Sequence, residues 1–275
     1  MTSLRMPAVA GQFYPGDPES LRRDVQARLG QAPPGGGPGG SNDAVALLVP
    51  HAGYIYSGRV AGAVYAAAAL PAALAILCPN HTGAGHDVAV MNRGAWLTPL
   101  GEAPIHEKLA DLILEACPMA AVDERAHRGE HALEVQLPFL QVVRPGFRFV
   151  PICVGTGELE VLLELGHGLA RALDRCGESA SAIISSDMSH YIGAAEAHRK
   201  DMLAIDRILA IDPEGLHGTV SRERISMCGI YPAVAGLAAA RDRGARGARL
   251  VAYANSGEVS GDLDQVVGYA GVIVS

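Results

Sequence analysis

The chain has 275 residues, 49% hydrophobic and 19% charged, with a net charge of −7 and no cluster of basic residues. A chain this long buries roughly 75% of its unfolded surface, so a full core needs no disulfide or metal to staple it. The composition argues against disorder, and the acidic balance argues against nucleic acid and anionic membranes as partners.

From the N-terminus, MTSLRMPAVAGQFYPGD holds no apolar core of signal-peptide length and meets Pro15-Gly16 early. The five cysteines (Cys78, Cys117, Cys153, Cys176, Cys228) stand singly with no CxxC pair. Together these point to reduced thiols and a cytoplasmic protein. A short helix over Pro18–Leu29 is followed by QAPPGGGPGGSND, Gln31–Asp43, whose glycines and prolines make a flexible loop. Ala44–Val49 reads as a strand, Gly58–Ala69 as a helix and Ala73–Cys78 as a second strand. The stretch Val60–Cys78 is uncharged for 19 residues, the length of a membrane span. Alanine dominates it, however, and Pro71 divides it, so helix, breaker and strand account for the same letters.

Further on, His106–Ala116 reads as a helix, His131–Val143 as a helix strained by Pro138, and Phe147–Val154 as a strand. Helix Glu158–Leu173 and strand Ala180–Ser186 follow, then a long helical region to about Leu209. The chain ends with helix Tyr231–Gly244 and strands Ala248–Asn255 and Val266–Val274. Continuous apolar strands alternating with helices define an α/β fold, with a central mixed or parallel sheet covered on both faces. No second linker interrupts the pattern, so residues 1–275 read as one domain.

The chemistry-bearing residues fall at strand ends. His51, in LVPHAGYIYSG, follows the first strand, His81 follows the second, and Asp187 and His190 follow Ala180–Ser186. In open α/β sheets, ligands bind outside the carboxyl ends of the strands, so these side chains would meet around one crevice. Each has an ordinary reading as well: a histidine after a strand is commonly a turn residue, and Asp187 could cap a helix. Gly53 would let the turn after His51 close tightly, while Tyr54 and Tyr56 either wall the crevice or pack. Cys228, in ISMCGIYP, lies where a loop enters a helix, where the helix N-terminus favours thiolate; a small buried hydrophobe is the alternative. His86, His106, His167, His198 and His217 read as loop or helix-face residues. There is no G-x-S-x-G elbow, phosphate loop or dinucleotide fingerprint.

Taken together, PAVAGQFYP, VPHAGYIYSG, CPNHTG, EHALEVQLPFL, SSDMSHY, MCGIYPAVAGL and GEVSGD…VVGYA resemble the Memo-like family, over Pro7 to Ala270. Its bacterial and archaeal members are called AmmeMemoRadiSam system protein B. The resemblance implies a fold similar to class III extradiol dioxygenases, which hold non-haem iron between two histidines and a glutamate. It implies His51, His81 and Cys228 as metal ligands, the cysteine standing where those enzymes have a carboxylate. Asp187 and His190 would line the same pocket, His190 as the acid or base, with His131 as a further pocket histidine.

Thiolate in place of carboxylate softens such a site toward iron, copper or zinc, iron foremost, and puts ring cleavage in doubt. The resemblance therefore implies a metal-dependent redox enzyme acting on a small molecule or a peptide. Its alternative is a non-catalytic metal- or peptide-binding component of a system with a radical-SAM enzyme and an AMMECR-like protein.

Overall fold

The structure, a computed structural model, describes residues 3–30 and 44–275. The loop expected at Gln31–Asp43 lies outside the described residues. Along the chain, β1 (Leu4–Arg5) and α1 (Pro18–Gly30) precede β2 (Ala46–Val49), α2 (Tyr54–Ala67) and β3 (Ala73–Pro79). Next come β4 (Val88–Val90), β5 (Ala95–Thr98), β6 (Gly101–Pro104), α3 (Glu107–Ala116), β7 (Ala121–Val122) and the single turn α4 (Arg125–Arg128). A 3-10 turn at Glu134–Gln136 leads into α5 (Leu137–Val143), β8 (Arg148–Val154), α6 (Leu159–Asp174), β9 (Ala180–Ser185) and β10 (His190–Ile192). The chain finishes with α7 (Ala194–Leu209), α8 (Pro213–Glu223), α9 (Ile230–Asp242), β11 (Ala248–Asn255), α10 (Gly257–Ser260) and β12 (Val266–Val274).

A nine-stranded mixed sheet runs in the order β10-β12-β2-β9-β3-β8-β4-β7, with β11 also paired to β12. Its centre, β2-β9-β3-β8, is parallel, and β12 and β4 join it antiparallel on either side. Strand periodicity of two then sorts the core. Ala73, Ala75 and Leu77 of β3 pack under α3, α6 and α9, while Leu74, Ile76 and Cys78 pack on the opposite face with α1, α2 and α5. Both faces are covered, which is why these strands read as unbroken apolar runs. Each such leucine or isoleucine contributes about 2 kcal/mol relative to exposure.

Two expected helices are redrawn. His131–Val143 is not one strained helix: His131–Leu133 form a turn, and Pro138 sits in the first turn of α5, where a missing N–H loses nothing. The helical region expected after β9 starts only at Ala194, because His190–Ile192 pair with β12. A side sheet, β1-β5-β6, and helix α8 gave no clear signal in the sequence. No helix among the described residues is long and apolar enough to cross a membrane, and Val60–Cys78 divides into α2 and β3.

Candidate metal centre

Parallel strands β2, β3 and β9 end side by side, so the residues that follow them converge. His51, His81, His131, Asp187, His190 and Cys228, all six residues singled out in the sequence, line one cavity of about 500 Å³. Phe13, Tyr191 and Tyr269 supply its apolar walls. His51, His81 and Cys228 each bring one ligand atom within 4.8 Å of the others and could hold a metal ion. The Cys228 sulfur lies 3.1 Å from His51 Nε2. His131 stacks on His81 with ring centroids 4.7 Å apart and planes at 19°.

Hydrogen bonding decides which nitrogen each histidine presents. Ser185 Oγ has one proton, and it goes to the Ala132 carbonyl at 2.6 Å, since a carbonyl can only accept. His51 Nδ1, 2.9 Å from the same oxygen, must therefore donate to it, leaving Nε2 as a lone pair. His81 Nδ1 donates to Glu130 Oε1 at 2.9 Å, and His190 Nδ1 donates to the Ser226 carbonyl at 2.8 Å. In their neutral forms all three rings are thus the Nδ1–H tautomer, the arrangement in which an outer acceptor orients a ligating imidazole, and the Nε2 of His51 faces the Cys228 sulfur.

The supporting polar groups were not legible as such in the sequence. Glu130 is fully buried and also accepts the His81 N–H at 2.7 Å and the Ala132 N–H at 2.9 Å. Gln136 donates to Ser185 Oγ at 2.9 Å and to the Pro50 carbonyl at 3.0 Å. Glu134 accepts from Arg5, from the N–H groups of Ala8 and Val9, and from Tyr14, which clamps the segment carrying Phe13 over His131. Three acidic or amide side chains in an otherwise apolar run, EHALEVQLPFL, are the signal that could have found them.

Asp187 shapes the turn after β2. Its Oδ1 accepts the His51 N–H at 2.7 Å, so the strand ends where this carboxylate captures it. Gly53 has ordinary backbone angles (φ −54°, ψ 144°), so the turn does not draw on a glycine's conformational freedom. Tyr54 is buried, its hydroxyl donating to the Val135 carbonyl at 2.7 Å, whereas Tyr56 is exposed.

Burial, with the neighbouring histidines, holds His51 well below the usual imidazole pKa, so it is neutral at pH 7. Burial also lowers His131. For His81 burial acts the same way, but the Glu130 hydrogen bond and charge outweigh it and the net shift is upward. Burial lifts Asp187 to about 6 against the opposing His51 N–H. Cys228 departs from the sequence expectation. Burial and the Asp187 charge push the thiol upward, overriding the start of α9, so without a metal the sulfur keeps its proton.

Two further clusters also fall within 4.8 Å: His81, Glu130 and His131, which shares His81 with the first, and, away from the cavity, His106, Cys176 and Glu178. There His106 caps α3, its Nδ1 accepting the Leu109 N–H at 3.1 Å. Its Nε2 consequently carries the proton and donates to Glu178 at 2.9 Å, while Arg148 holds that carboxylate at 2.7 Å. This is a capped helix end with a satisfied histidine.

Fold and site together define an α/β protein with a histidine- and cysteine-lined cavity at the carboxyl ends of its parallel strands. Residues 5–273 match the Memo-like protein family, and the chain belongs to that family. It is 42% identical over 281 residues to a MEMO1 family protein of Methanopyrus kandleri, the alignment covering 98% of each chain. It is 43% identical over 271 residues to one of Aquifex aeolicus, again covering 98% of each. Among solved structures it is similar to the uncharacterized protein JW3007 from Escherichia coli K12. That match has a TM-score of 0.54 and 13% identity, covering 83% of this chain and 98% of that one, a likeness of fold alone.

Proposed function

We propose that the protein is a metal-dependent redox enzyme of the non-haem type, with His51, His81 and Cys228 as ligands and iron as the metal. The supporting observation is the common Nδ1–H arrangement: fixed acceptors take the outer nitrogens of His51 and His81, and the two rings and Cys228 each bring a ligand atom within 4.8 Å of the others. Two imidazoles and a thiolate suit iron and, as softer alternatives, copper or zinc. A bound ion would supply Lewis acidity and electron transfer, and three protein ligands leave coordination positions for a substrate.

The chain's own residues do the rest. His190, with Nδ1–H held by the Ser226 carbonyl, offers Nε2 as the base that takes a proton from a substrate hydroxyl or amine. Asp187 keeps His51 in place through the backbone, and His131, stacked on His81, fills the wall opposite. Phe13 and Tyr269 narrow the cavity and reduce the water around the reacting groups.

Elemental analysis of protein purified without chelator, wild type beside Cys228→Ala, tests the ligand set. Near-stoichiometric metal that drops in the variant supports it. No metal in either, even after anaerobic loading with iron(II), removes it. His190→Ala separates catalysis from binding, because it should keep the metal and lose turnover.

A further inference from the structure

A second cavity, of about 430 Å³, opens between β1 and the turn α4 and shares no lining residue with the metal centre. Leu4, Met6, Pro7 and Met91 supply apolar walls, and Glu124 and Arg128 supply opposite charges. Met91 is buried, whereas Leu4 and Met6 are 44% and 59% exposed, unusual for large apolar side chains two residues apart. The wall that carries them is firmly held. Arg5 lies buried over the Trp96 ring, 4.2 Å from its centroid, and donates to the carbonyls of His127 at 3.0 Å and Glu130 at 2.7 Å, and to Glu134. The Ala95 N–H donates to the Ser3 carbonyl at 3.0 Å. At Gly94, where φ is 97°, a Cβ would run into that carbonyl, so only glycine lets the strand lie this close. The apolar side chains are thus held open to solvent by a wall that cannot fold over them.

The charges in this cavity are left unanswered. Glu124 and Arg128 stand four residues apart around one helical turn, the spacing at which opposite charges ordinarily pair, yet they do not pair with each other. Arg128 makes no ion pair or side-chain hydrogen bond among the described residues. Glu124 Oε2 accepts the Ser3 hydroxyl at 3.0 Å, while Oε1 accepts nothing among the described residues. Arg5 also lines the cavity, and two of its five N–H donors have no partner among the described residues. One cation, one carboxylate oxygen and an apolar wall therefore face the same space.

We propose that this cavity binds a free α-amino acid with an apolar side chain. Its carboxylate meets Arg128 and the spare Arg5 donors, its ammonium meets Glu124, and its side chain covers Leu4, Met6 and Met91. A plain carboxylic acid would set its charge against Glu124, and a plain amine would set its charge against Arg128. Only the zwitterion answers both. The inference goes beyond the metal-centre reading and does not depend on it.

The test uses the chelator-treated full chain, isotope-labelled at its methionine methyl groups and followed by NMR as L-leucine is added. The methyls of Met6 and Met91 should shift and saturate with a dissociation constant of about 1 mM or tighter, the range open to so small a ligand. Isocaproate, which lacks the amine, and isopentylamine, which lacks the carboxylate, should each bind about tenfold more weakly or worse. Arg128→Gln and Glu124→Gln, both at exposed positions, should weaken leucine binding by about the same factor and leave the urea unfolding midpoint unchanged. Unresponsive Met6 and Met91 methyls, an analogue that matches leucine, or binding that survives both substitutions would each overturn the proposal. Met227, next to Cys228, reports on the other cavity. A leucine shift confined to Met227 would place the ligand there and overturn the proposal as well.

Discussion

Ser185 Oγ lies 2.9 Å from His51 Nδ1 and spends its only proton on the Ala132 carbonyl, so the histidine is the donor and its other nitrogen is free. A hydroxyl deep in the sheet thereby fixes the chemistry of an imidazole at its edge. Ser185→Ala removes that acceptor and leaves Gln136 Nε2 with one partner fewer. Metal affinity should fall about tenfold and stability by about 1 kcal/mol. Competition with a graded chelator series and urea unfolding measure the two separately.

Glu130→Gln keeps the shape of the side chain and removes its charge from His81. In metal-free protein the His81 pKa is raised in the folded state, so its pairing stabilises fully below about pH 6.5 and fades as pH rises through the higher folded value. Glu130, lowered against burial by the His81 bond, stabilises above its usual range and loses that contribution as pH falls through its folded value. His51 and His131, both lowered, act with the opposite sign to His81, so the comparison must be between variant and wild type. The expected outcome is that wild type loses stability relative to Glu130→Gln between about pH 6 and pH 8. Unfolding curves at both values with chelator present check this; parallel curves would assign the His81 contact no energetic role.

Metal uptake should release a proton, because burial keeps the Cys228 thiol protonated in the free protein and a ligand must be thiolate. Affinity should then rise about tenfold per pH unit through neutrality. Calorimetry in buffers of different ionisation enthalpy reads the proton directly. A pH-independent affinity would mean that the sulfur does not ligate.

Glu134→Ala leaves Arg5 buried without its partner and frees the N–H groups of Ala8 and Val9. Breaking a buried pair from one side costs about 3–5 kcal/mol. The segment through Phe13 should become a protease-sensitive strap, seen as early cleavage near the N-terminus in limited proteolysis. Resistance equal to wild type would show that apolar packing of Tyr14 alone holds it.

His106 separates a cap from a metal ligand. His106→Ala should cost about 1 kcal/mol, and His106→Asp, which can accept the same N–H, should recover most of it. Neither should change metal content. A loss of bound zinc in either would reassign the His106, Cys176 and Glu178 cluster.

Much of this is legible in the sequence. Apolar runs such as Ala73–Cys78 are strands buried on both faces, and His51, His81 and Asp187 follow three adjacent parallel strands, so a periodicity argument placed them at one edge. His131 came only from the resemblance, since it sits in a turn that the sequence read as helix. That run, with the residue before it, hid Glu130, Glu134 and Gln136, whose roles depend on partners 49 to 129 residues away in the chain.

The sequence by itself determined the layered α/β fold and brought His51, His81, Asp187 and His190 to one cavity, because strand burial and strand ends are written in local pattern. Only the tertiary structure decided the state of those residues. Which imidazole nitrogen is free follows from a serine, a glutamate and a carbonyl brought in from other elements. The Cys228 thiol is governed by burial beside Asp187 rather than by the helix it precedes. Protonation depends on the surrounding dielectric and on distances between groups remote in sequence, and neither exists until the chain has folded.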